Sequence, residues 1–76
     1  MTVTRAEWLS RFAAELGVPE PTDQEIESLL ALAGTAAHGS ERTAAPLSCW
    51  LVGRAGLDPA AAEAMADRLA AHLDEA

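Results

Sequence analysis

Residues 36–50, AAHGSERTAAPLSCW, decide how the chain folds, because they set a proline between two alanine-rich helical stretches. Pro46 has no N–H and disfavours helical geometry at Ala45, so it fits the first turn of a new helix, where backbone donors are unpaired in any case. Thr43 is then the natural N-cap. Upstream, Ile26, Leu30, Ala33 and Ala37 recur at helical spacing, and one more turn lands on Glu41 at the end of the buried stripe if the helix runs past Gly39. A carboxylate at that depth needs a partner. Backbone N–H groups at the start of the next helix, together with Arg42, Arg54 or Arg11, would supply it. His38, Glu41 and Arg42 thus read in two ways, as a satisfied inter-helix joint or as a polar cluster for a ligand or partner. The joint is preferred, since structural ion-pair networks imitate sites.

Working outward, Thr4 with Glu7 forms a capping-box signature, and Trp8, Leu9, Phe12, Ala13 and Leu16 follow down one helical face. Trp8 and Phe12 share that stripe with leucines and are expected to be core anchors. Gly17 fits a left-handed C-cap, and Pro19 and Pro21 prevent continuation. Thr22 with Glu25 repeats the capping box, and Ile26, Leu29, Leu30, Ala33, Ala36 and Ala37 are expected inside the second helix. Gly34 and Gly39 weaken its second half, so it can stop as early as His38. Beyond Pro46, Leu47, Trp50, Leu51 and Arg54 share a face that ends at Gly56. Asp58-Pro59 then opens a last helix with Ala62, Met65, Ala66, Leu69 and Leu73 as its stripe, Met65 filling gaps and His72 on the surface. The pattern predicts an all-α fold, a compact bundle of four short helices near 4–16, 22–42, 44–55 and 59–74, forming a single domain over residues 1–76.

Composition limits what such a chain can do. At 76 residues it is too small to enclose a substrate cavity within a large core, and Ala supplies much of its apolar half, with three aromatic residues, so close Ala-mediated helix packing is expected. A net charge of −7, with five cationic residues that are all Arg, argues against nucleic acid and anionic membrane as partners and leaves a protein partner open. The single Cys49 excludes an internal disulfide and suits a reducing cytoplasm. No apolar run has the length of a signal peptide core or a bilayer span.

Catalytic and metal templates find no match. His38, Cys49 and His72 lack zinc-motif spacing, Ser40 lacks an evident base, and no Gly-rich phosphate loop occurs. Cys49 sits in an apolar helix and reads as a buried structural thiol rather than a nucleophile. No catalytic, cofactor-binding or metal residue is assigned, and the chain is expected not to be an enzyme. The triplet Glu27-Ser28-Leu29 invites comparison with acyl carrier proteins, which are also small, acidic and four-helical. In those proteins, however, the equivalent serine opens helix 2 after a long loop, whereas Ser28 falls a full turn inside this helix.

The run HGSERTAAPL, flanked by WLSRFAAELGV, TDQEIESLLALAG and SCWLVGRAG, resembles a small actinobacterial domain of unknown function. That domain is found alone or as an extension of proteins related to the molybdenum cofactor guanylyltransferase. The resemblance implies an accessory role in maturation of the guanylated cofactor, as an adaptor or regulatory subunit, without the transferase activity. The expectation is therefore a non-catalytic interaction module for a molybdenum-cofactor assembly protein. His38, Glu41, Arg42, Trp50 and Arg54 are its candidate partner-binding or joint residues, and Arg42, Trp50 and Arg54 are the first to test because Arg and Trp dominate exposed hot spots. The alternatives are a small acidic carrier or ligand-binding domain and a self-associating structural domain, so a homo-oligomer is also open.

Overall fold

Two threonines open the first two helices in the same way. The Thr4 hydroxyl accepts from the Glu7 N–H at 3.1 Å while the Glu7 carboxylate accepts from the Thr4 N–H at 3.5 Å, and α1 runs Arg5–Leu16. At Thr22 and Glu25 the corresponding distances are 3.1 Å and 2.7 Å, and α2 runs Asp23–Gly39. Each box satisfies two backbone donors that a helix start leaves unpaired. α3, Ala44–Ala55, carries Pro46 in its first turn. α4, Pro59–Asp74, starts at a proline behind Asp58, whose carboxylate accepts from the Ala61 N–H at 3.4 Å. Gly17 (φ 73°) and Gly56 (φ 66°) terminate α1 and α3 in the left-handed region, which other residues enter only with strain.

This computed structural model describes residues 2–74, and the fold is all-α with four helices and, among the described residues, no strand. α2 ends at Gly39 rather than at residue 42. Ser40 leaves helical geometry (φ −142°, ψ −107°), and the chain turns so that Glu41 and Arg42 carbonyls accept from the N–H groups of Ala44 and Ala45. Thr43 occupies the N-cap position but makes no side-chain cap bond, because that backbone turn already meets the donors of α3.

α2 is the central element. α3 returns antiparallel to it, with Ala44 near Gly39 and Val52 near Leu32, while α4 runs parallel, with Asp58 near Glu25 and Thr35 donating to the Asp67 carboxylate at 3.1 Å. α2 packs extensively on α3 and α4, and α1 shares no such packing with any of the three. Small residues face α2, as the Ala-rich composition implies: Ala62 is buried and Ala36, Ala44, Ala66 and Ala70 are half-buried. The large side chains do not follow them. Leu32, at 3% exposure, is the one large side chain buried among the described residues, and it was not in the expected stripe, whereas Leu30, which was, is 54% exposed. Ile26, Leu29, Ala33, Ala36 and Ala37 are half-buried as expected, and the contact face of α2 widens beyond that stripe to Leu32 because the helix is covered from two sides.

The expected core anchors Trp8 and Phe12 are 56% and 47% exposed, since no other helix packs extensively on α1, although Ala13 of the same stripe is buried, and Met65, expected to fill gaps, is 51% exposed. The accessible surface of the chain is 6058 Å². A compact 7.9 kDa monomer would expose about 4,400 Å². The radius of gyration, 13.6 Å, likewise exceeds the roughly 11.4 Å of a compact chain of this length.

Candidate functional site

The joint comes apart as a polar cluster. His38, Glu41, Arg42 and Thr43 are all exposed, and none of the side-chain hydrogen bonds among the described residues reaches His38, Glu41 or Arg42. Glu41 is therefore not a carboxylate at the end of a buried stripe and not a cap of α3. The helix that would have carried it inward ends two residues earlier, and the turn hydrogen-bonds through its own backbone. Glu41→Ala is accordingly expected to melt within about 3 °C of wild type in a thermal scan. A large drop would place the carboxylate in a structural pair after all.

Trp50 and Arg54 do come together. They lie one turn apart on α3, and the Arg54 guanidinium carbon sits 5.1 Å from the Trp50 ring centroid, in reach of a cation–π interaction. Trp50 is 59% exposed and its neighbour on the same face, Leu47, is 65% exposed. At 1.5 Å per residue this ridge ends about 15 Å along α3 from the joint, so the five candidate residues divide into two separate groups. The ridge points away from α2, because the half-buried residues of α3, among them Ser48, Cys49 and Val52, occupy the opposite face.

A second feature lies between α3 and α4. Leu32 and Ala36 of α2 form its floor, Leu51 and Val52 one wall, and Met65 and Leu69 the other, enclosing an apolar groove of about 470 Å³. The groove continues along α4 as far as Leu73. No charged residue lines it. Sequence reading missed the groove but held its signal: the α4 stripe carries Met65, Leu69 and Leu73 beside Ala62 and Ala66, more apolar side chain than the contact with α2 covers.

The other polar candidates are scattered. Ser28 is half-buried inside α2 beside a small cleft shared with Asp58, Ser40 is exposed in the turn after α2, and Cys49 is half-buried rather than fully enclosed. Among the described residues no three His, Cys, Asp or Glu side chains converge as metal ligands would, and no helix is long and apolar enough to cross a membrane.

Fold and surface together define a small all-helical domain whose distinctive chemistry is exposed apolar area rather than a polar pocket. The chain belongs to the DUF6457 family, a domain of unknown function, whose family model matches residues 2–76. No curated protein and no solved structure is significantly similar to it.

Proposed function

We propose that the chain is a non-catalytic helical interaction module that recognises a protein partner through the Leu47-Trp50-Arg54 ridge of α3. The observation that carries this reading is the ridge itself. A Trp stacked under an Arg and bordered by a Leu is a preformed, partly desolvated pair of the residue types that dominate binding hot spots, and it contributes nothing evident to the packing of its own chain. The acidic balance of the protein directs it towards proteins rather than nucleic acid.

The partner we propose is an assembly protein of the guanylated molybdenum cofactor, in the cytoplasm of an actinobacterium. The support for this process is the resemblance of the HGSERTAAPL region and its flanks to the domain that accompanies guanylyltransferase-like proteins. The test is genetic and biochemical. Deleting the gene is expected to lower the activity of molybdoenzymes that use the guanylated cofactor, and tagged protein should retain the guanylyltransferase or a cofactor-insertion factor. Unchanged enzyme activity together with no such protein retained would remove the link. The carrier alternative finds no support in the position of Ser28.

A further inference from the structure

The largest feature outside the α3 ridge is a pair of unpartnered apolar surfaces on one chain, the α1 face and the α3–α4 groove. We infer that they partner each other across two copies, with the Trp8-Phe12-Leu16 face of α1 seated in the groove of a second chain whose own α1 returns the contact. Four observations carry this.

The first is area. The surface in excess of a compact monomer is about 1,600 Å² per chain, so a pair that covered it would bury roughly 3,200 Å². That falls in the range of obligate homodimers, about 2,000 to 5,000 Å², and well above a crystal-type contact. The exposed residues concerned are large: Trp8, Phe12 and Leu16 are 56%, 47% and 60% exposed on α1, and Leu51, Met65 and Leu69 are 59%, 51% and 58% exposed on the groove walls.

The second is shape. α1 has 12 residues and is about 18 Å long, while the groove follows α4 from Ala62 to Leu73, about 17 Å. Trp8, Phe12 and Leu16 recur every fourth residue, so they form a single ridge, and Trp8 and Phe12 already stack at 5.7 Å between ring centroids. An amphipathic helix lying in an apolar groove is a recurrent mode of recognition.

The third is charge. α1 carries Arg5 and Arg11 against Glu7 and Glu15 and is neutral, so the whole net charge of −7 resides in the rest of the chain. Two copies that met through their acidic bodies would repel. Two that exchange a neutral helix into an uncharged groove avoid that repulsion at the contact.

The fourth is the connection. Residues 17–22, GVPEPT, hold two prolines with fixed φ, and such segments are extended, semi-rigid spacers. They keep α1 projecting from α2 rather than folded onto it. The exchange is isologous, so two chains close the assembly and leave neither surface free to polymerise. This pairing uses none of the α3 ridge residues, although it shares with the proposed function the premise that the exposed apolar area is there to be covered.

Sedimentation equilibrium on the full chain at micromolar concentration tests it. Wild type is expected at twice 7.9 kDa. Phe12→Glu and Met65→Glu, each at an exposed position of a different surface, should remain helical by circular dichroism, sediment as single chains and dissociate at least about 100-fold more readily. Mixing the two should recover a heterodimer, because one intact α1 then meets one intact groove. Phe12→Ser serves as a milder second variant if the glutamate unfolds the chain. A single-chain mass for wild type overturns the inference, as does a dimer that both substitutions leave intact or a mixture that stays monomeric. A small-angle scattering radius near 11 Å for a monomer would show α1 closed over its own groove. Any of these leaves the α3 ridge standing, while failure of partner capture with the dimer intact counts against the ridge alone.

Discussion

Leu32→Ala is expected to lower the melting temperature by about 10–20 °C, the largest stability loss of any single truncation in this chain. Leu32 is 3% exposed and is the floor residue at which α2 meets both neighbouring helices. Removing three carbons from a buried Leu costs about 2–5 kcal/mol, the sum of lost transfer energy and a cavity that neighbours fill incompletely. The open groove beside Leu32 lets Met65 and Val52 relax into the space, or water enter, which argues for the lower half of that range. Even about 2.5 kcal/mol matters here. A 76-residue domain has only about 4–11 kcal/mol of stability, and each kcal/mol shifts the midpoint by about 4–8 °C. Leu30→Ala is the control: at 54% exposure it should cost much less. Equal losses at the two positions in a urea or thermal melt would mean that the contact face of α2 is wrongly placed.

That pair of leucines also marks where sequence reading succeeds and where it stops. The helix starts at Thr4 and Thr22, the left-handed ends at Gly17 and Gly56 and the Asp58-Pro59 entry were legible because each is a contract between residues three or four apart, settled before any tertiary contact forms. Periodicity likewise marked the apolar side of α1, α3 and α4. What periodicity leaves open is how much of an apolar side the same chain covers. Trp8 and Phe12 share a stripe with Leu16 and were expected in the core, yet no helix of this chain lies over them. Leu32 escaped notice because a stripe drawn from Ile26 to Leu30 assumes one covering helix, and α2 has two. Glu41 misled for a related reason, since extrapolating the stripe one turn too far turned a solvent-exposed turn residue into a buried charge. Trp50 and Arg54 were singled out by residue type but grouped with the joint, and only the structure pairs them with each other and sets them apart from it.

Trp50→Ala is expected to weaken partner capture by about 30- to 100-fold while leaving the melting temperature nearly unchanged, and this divergence is what distinguishes a recognition residue from a structural one. At 59% exposure on the face of α3 opposite α2, Trp50 contacts little of its own fold beyond Arg54, and Ala is at least as good a helix former, so the stability change should be small. Truncating an aromatic anchor at the centre of an interface costs about 2–2.8 kcal/mol, which is the stated fold-change. Arg54→Ala should weaken capture less, because it removes a cation whose charge remains partly hydrated, but combined with Trp50→Ala it should add less than its separate effect, since the two act as one stacked unit. Arg54→Lys is a useful intermediate: it keeps the charge and loses the planar group that lies over the ring, so a loss close to that of Arg54→Ala would show that stacking rather than charge is recognised. Surface plasmon resonance against the captured assembly protein, with a melt of each variant alongside, reads both quantities. Equal affinity for wild type and Trp50→Ala would remove the ridge from the interface, and a loss of affinity matched by a large loss of stability would return Trp50 to a packing role.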